Sequence, residues 1–294
     1  MSDSEIYQAA VTRRTRTLPI RGVEYCLNEW GDEDAPLFFY LHGWADTGST
    51  FQFVVDALAS RWRVVAPDWR GFGRTAHAGG PYWFPDYIAD LHAILKHYSP
   101  DSQVYLVGHS MGGNIASLYA GSMPERVKAI VNVEGFGLPD SNPDDAPQRY
   151  RDWLEAEEVG AEFSFYPDFA GLVQRIRSRN HGLCPDRAEF VARQWAREEN
   201  GAVRLRADSR HKLPNAILYR RAEAAACWRN ITAPVLLVSG EKSPFASHVT
   251  DLASLPGPDT SSHEIEGVGH MIHFEAPEVL AAQIEQFLLQ SSSS

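Results

Sequence analysis

Ser110 stands in the run VYLVGHSMGGNIASLYAG, residues 104–121, where an apolar strand passes into a helix with glycines on both sides of one hydroxyl. Gly108-His109-Ser110-Met111-Gly112 fits G-x-S-x-G, and a strand before with a helix after is the context that gives the pattern meaning. The reason is steric. A residue at the top of a sharp strand-to-helix turn holds a strained backbone conformation, and side chains two positions away on either side would collide with it. Gly108 and Gly112 remove that collision, and Gly113 lets the helix lie close to the sheet. The helix N-terminus beneath also favours developing negative charge. A hydroxyl presented in this way can act as a nucleophile once a base takes its proton. The chain offers eleven histidines as that base. His109, next to the serine, reads as packing under the turn.

The elements that must hold this serine follow from alternating apolar runs and helix-period segments, the pattern of a parallel sheet wrapped by helices. LFFYL at 37–41, residues 64–66, 104–107, 127–133, 235–238 and 262–265 read as strands. Residues 85–98, with Pro85 in the first turn, and 277–289 read as helices, and another opens at Asn114. Between about 138 and 229 the character changes to Arg, Asp, Glu and aromatics without a buried-strand run. Helical patches fall at 148–158, 168–180 and 185–199, the last with Asp186 and Glu189 spaced as a capping box. The expected organisation is an α/β core over 1–138 and 229–294, interrupted by a helical cap insertion over 139–228. Ser291–Ser294 reads as a frayed tail.

The segments GHSMGG after VYLV, LHGW at 41–44, PDWRGFG at 67–73 and GVGHMIHFEAPE at 267–278 together resemble the α/β-hydrolase family, in its chain order and over most of the core. The fold this implies is a mostly parallel sheet flanked by helices, and the cap position is one the family uses. The resemblance implies that His270, in a glycine-bracketed loop before the last helix, is the base. His273 then enters the following turn as a structural residue. The acid usually follows the strand VLLVSG, yet that position here is Ser243, a neutral hydroxyl. Two carboxylates could substitute. Glu241 lies on the same turn, and Glu134 ends the strand VKAIVNV at the sheet edge where sites of such folds gather. Some members of the family place the acid there, and Glu134 is preferred, with Gly135 letting the chain turn away. Backbone N–H groups of Trp44 and Met111 are the expected oxyanion donors. Asp68 reads as a turn brace paired with Arg70.

The chemistry this implies is acyl transfer to water through an acyl-enzyme, as in a carboxylic ester hydrolase, with no cofactor and no metal. His270, His273 and Glu275 lack the HExxH helix pattern of a zinc site, and no phosphate-binding glycine loop occurs. Trp44 and Phe136 are the candidate substrate contacts. Trp153, Phe163, Phe165 and Tyr166 either join them as walls for a small or medium hydrophobic acyl substrate or fasten the cap to the core. The same residues could cleave C–C, amide or lactone bonds, or serve an acyltransferase or perhydrolase. The absent acid at Ser243 leaves open a non-catalytic ligand-binding protein on this scaffold. A balance of 27 Lys and Arg against 38 Asp and Glu gives −11, which argues against nucleic acid or an anionic membrane as partner. Cys26, Cys184 and Cys227 are scattered and form no CxxC, which disfavours a disulfide framework or thiolate zinc site. With a polar start and no membrane-length apolar run, the expected location is cytoplasmic. Oligomeric state is not legible.

Overall fold

A computed structural model describes residues 6–292 of the chain. Its strands are β1 (Arg14–Ile20), β2 (Val23–Trp30), β3 (Leu37–Leu41), β4 (Arg63–Pro67), β5 (Val104–His109), β6 (Val127–Val133), β7 (Ala196–Glu199), β8 (Ala202–Leu205), β9 (Val235–Gly240) and β10 (Thr260–Ile265). The helices are α1 (Gln52–Ala57), α2 (Phe84–Tyr98), α3 (Met111–Ser122), α4 (Ala146–Val159), α5 (Phe169–Arg179), α6 (Pro185–Trp195), α7 (Arg221–Arg229), α8 (Ala246–Ala253), α9 (Ile272–Glu275) and α10 (Pro277–Ser292).

Eight strands form one sheet in the order β1-β2-β4-β3-β5-β6-β9-β10. β2 runs antiparallel to both its neighbours, and every other pairing is parallel. The central strands are continuous apolar runs because helices cover both faces of the sheet. Alternate residues serve opposite layers: Val104 and Leu106 of β5 pack on one side, Tyr105 and Val107 on the other. A third apolar cluster joins Leu172 and Ile176 of α5 and Val191 of α6 to Phe53 of α1 and Phe274 of α9, which seats the inserted segment on the core.

Connections leave the centre in opposite directions, β3 to β4 one way and β5 to β6 the other. This makes β3 and β5 neighbours at a switch point, where loops at the strands' C-terminal ends diverge and leave a crevice. Leu41 sits opposite Gly108, His109 opposite Val133, and Val133 opposite Val238. The loops after β3, β5, β6 and β9 therefore emerge side by side.

Three details depart from the sequence expectations. The segment between β6 and β9 also contains the β7–β8 hairpin, whose first strand takes residues 196–199 from the expected helix. Asp186 makes no cap for α6: Cys184 occupies the N-cap without a side-chain bond, and Pro185 opens the helix. Ser291 and Ser292 belong to the last turn of α10, each hydroxyl donating to the carbonyl four residues earlier. Ser293 and Ser294 lie outside the described residues.

Candidate active site

The turn after β5 holds Ser110 at φ 52°, ψ −116°, a region costly for any residue with a Cβ. Its backbone N–H donates to Val133 O at 2.7 Å, and its carbonyl accepts from Asn114 N at 3.1 Å. The two flanking glycines face each other: a Cβ on Gly108 would lie 2.5 Å from Gly112 O, and one on Gly112 would run into the Leu41 carbonyl. The loop after β3 comes equally close, since a Cβ on Gly43 would stand 3.2 Å from Ser110 Cβ. His42 fixes that loop. Trp69 N donates to its Nε2 at 2.8 Å, so the proton sits on Nδ1, 2.7 Å from Gly43 O. Trp44 follows directly in the chain, and it lines one cavity together with Ser110 and Met111.

His270 crosses from the loop before α9. Its Nε2 lies 3.1 Å from Ser110 Oγ and its Nδ1 lies 3.0 Å from Glu134 Oε2. An ionised carboxylate only accepts, so Nδ1 carries the proton and the Nε2 lone pair faces the serine. Glu134 is buried and itself has positive φ, 61°. Its Oε1 accepts from Gly240 N at 2.8 Å, and its Oε2 accepts a second, short hydrogen bond from the Ser243 hydroxyl. The neutral residue at the usual acid position thus becomes a donor to the carboxylate on the neighbouring strand. Glu241 lies elsewhere. Its Oε2 accepts from Gly267 N at 2.7 Å and braces the turn after β10.

Below the turn, His109 donates from Nε2 to His270 O at 2.9 Å and is buried, as its place in the sequence suggested. His273 is also buried and bonds Asp46 Oδ2 at 3.0 Å. Ligand atoms of Asp46, His109 and His273 converge closely enough to raise a metal site. The Asp46 carboxylate is already engaged by Trp195 Nε1 at 2.7 Å and Thr50 Oγ1 at 2.8 Å as well as His273. Those donors make the group a brace that ties α6, the loop after β3 and α9 together. Asp68 does brace its turn, but through Asn28 Nδ2, Gly48 N and Arg74 N, each at 2.9 Å. Arg70 pairs instead with Asp90, at 2.6 and 2.7 Å.

Two cavities border the Ser110–His270 pair, one through each residue. One of about 270 Å³ is lined by Ser110, Met111 and the aromatic rings of Tyr82, Trp83, Phe84 and Phe136. The other, of about 530 Å³, is lined by His270, Phe163, Tyr166 and Trp195. Trp44 lines both. Trp153 and Phe165 line neither; Phe165 is exposed, with the Arg204 guanidinium 5.4 Å above its ring. The sequence reading missed residues 82–84, YWF, and Phe245, although an aromatic cluster outside the sheet pattern was a visible signal.

Burial lowers the pKa of His42, pushes that of His109 well down, and brings that of His211, stacked between Phe72 and Tyr82, to about 3. All three are neutral near pH 7. Below the unfolded value of about 6.5, the unfolded chain binds protons that these folded imidazoles refuse. Stability is therefore full above that pH and falls as pH drops. Asp68, raised by burial, opposes them, one group against three. The melting temperature should fall steadily from pH 7 to pH 5; an unchanged value would contradict the dominance of these neutral rings.

Residues 36–277 match the family model described as alpha/beta hydrolase fold. The chain belongs to the α/β-hydrolase fold family. It is 26% identical to "Serine hydrolase-like protein" of Danio rerio over 90% of this chain and 84% of that one. It is 30% identical to "3-hydroxybutyrate-oligomer hydrolase" of Cupriavidus necator over 86% and 89% respectively. Among solved structures, the "Thioesterase Domain From Curacin Biosynthetic Pathway" superposes with TM-score 0.85 at 25% identity, covering 94% of this chain and 99% of that one. These relatives place the chain in a family of hydrolases. Among the described residues no helix is long and apolar enough to cross a membrane.

Proposed function

We propose that the chain is a serine hydrolase that cleaves a small or medium hydrophobic ester through an acyl-enzyme. The observation that carries this is the unbroken chain of contacts from Ser110 Oγ to His270 Nε2, and from His270 Nδ1 to Glu134, at 3.1 and 3.0 Å. Ser110 attacks the acyl carbonyl as His270 takes its proton, and Glu134 stabilises the imidazolium. The N–H groups of Trp44 and Met111 receive the carbonyl oxygen as it becomes charged. His270 then gives the proton to the departing group, and water repeats the sequence to release the acid.

The strained φ of Ser110, the glycine-cleared approach of the β3 loop and the apolar wall of the smaller cavity all favour acyl chemistry over mere ligand holding. The Glu134 contact also supplies the charge whose absence at Ser243 had favoured a non-catalytic reading. The name of the curacin-pathway domain supports thioesters as substrates of the same machinery. The test is a panel of butyryl esters, thioesters and anilides with one chromogenic readout. Turnover of the esters or thioesters, with the anilide much slower, is expected; a protein that binds the panel and turns over none of it would favour the binding-protein reading.

A further inference from the structure

The cavity lined by Ser110 and the cavity lined by His270 differ in charge. The smaller is lined by aromatic rings, and its only carboxylate among the described residues is Glu134, already held by three donors. The larger is lined by Arg175, Arg179 and Lys212 and, among the described residues, by no carboxylate. Arg175 and Arg179 lie one turn apart on α5 and are exposed, and neither guanidinium has an ion-pair or hydrogen-bond partner among the described residues. Lys212 donates to Glu162 O at 2.7 Å, a neutral partner that leaves its charge unbalanced. On a chain of net charge −11, three uncompensated cations around one concave space form a local field opposite to that of the whole.

Their position relative to the proposed chemistry assigns the field a role. Ser110 and Met111 line the smaller cavity, whereas His270 lines the larger. In acyl transfer the acyl carbon stays on the serine, and the departing atom takes its proton from the imidazole. The acyl chain therefore belongs with the rings of the smaller cavity, and the leaving group belongs on the His270 side, with Trp44 as the shared wall.

We propose that the larger cavity is a leaving-group site for an oxyanion: the substrate releases an alcohol or thiol that bears a carboxylate or phosphate, held by Arg175, Arg179 and Lys212. This rests on the hydrolase reading above. The guanidinium forks suit either oxyanion, because both offer paired acceptor oxygens. The anion orders the substrate with its scissile bond over Ser110, and a neutral ester of equal size lacks that anchor.

The test uses butyryl esters of p-nitrophenol carrying a ring methyl ester, a ring carboxylate or a ring phosphonate, compared on the wild type and on Arg175→Gln/Arg179→Gln. Both arginines are exposed, so the double variant should keep its fold, and comparing the anionic-to-neutral ratio of kcat/KM between the two proteins cancels the intrinsic reactivity of each ester. That ratio should fall by about tenfold or more in the double variant, the order expected for losing charge-assisted hydrogen bonds. In the wild type it should also shrink as salt is raised. The anion whose ratio falls further identifies the source, carboxylate or phosphate. A ratio that is the same in wild type and double variant overturns the proposal. Binding of the free ring-carboxylated nitrophenol to Ser110→Ala, measured by calorimetry with and without the two arginine substitutions, separates the two readings. If no ester turns over, arginine-dependent binding upholds the anion site while the hydrolase reading fails. Arginine-independent binding, or none, rejects the site.

Discussion

Ser110→Ala should lower kcat on a short-chain butyryl ester by about 10⁶-fold, the scale on which nucleophile removal acts in serine hydrolases. Among the described residues, the hydroxyl facing His270 Nε2 is that of Ser110, 3.1 Å away. Residual turnover would come from binding and oxyanion stabilisation alone. The substitution also removes nothing that holds the turn: the bonds from Ser110 N to Val133 O and from Asn114 N to Ser110 O are backbone bonds. Melting temperature should therefore stay close to wild type while steady-state kinetics collapse. A loss of only a few fold, with the fold intact, would place the chemistry on another residue.

Glu134→Gln should lower kcat by about 10⁴-fold with the protein still folded, as when a triad acid becomes an amide. The amide is nearly isosteric, but it can present an N–H where His270 Nδ1 needs an acceptor, favouring the wrong tautomer. Its neutral form also cannot stabilise the imidazolium. Glu241→Gln should change kcat by no more than a few fold, because that side chain serves Gly267 N. Adding Ser243→Asp to Glu134→Gln should recover part of the lost rate, since position 243 already touches the Glu134 oxygen that meets His270. Equal and mild losses for Glu134→Gln and Glu241→Gln would remove the acid from Glu134.

The core was legible because strands covered on both faces leave little freedom of composition. LFFYL and VKAIVNV have the same limits in the sequence reading and in the structure, as β3 and β6. The edge was not legible. β1, RTRTLPI, is mostly exposed, and β2, VEYCLNEW, buries Asn28 and Glu29 among its apolar residues, so neither shows a clean period. The β7–β8 hairpin escaped for a related reason: four residues, AREE, continue a helical pattern without a break, and pairing with residues 202–205 is what decides their state. At α6, Pro185 opens the first turn, which puts the N-cap at Cys184, two residues ahead of the one that Asp186 and Glu189 suggested.

Within the site, Ser110 announced itself through its glycines, and His270 through its resemblance to the family's base loop. The choice between Glu134 and Glu241 depended on what no linear spacing contains, the lateral order of β6 beside β9. That order brings Ser243 and Gly240 to the Glu134 carboxylate, and both hydrogen-bond to it. The brace formed by Asp46, His273 and Trp195 was equally hidden, since its members lie up to 227 positions apart.

Reaction of the wild-type protein with a fluorophosphonate, followed by peptide mass mapping, most directly tests whether an activated serine exists here. One phosphonyl adduct on Ser110, formed at a rate that falls sharply in His270→Asn, is the expected result. A folded, unlabelled protein, or an adduct on any other side chain, would contradict it.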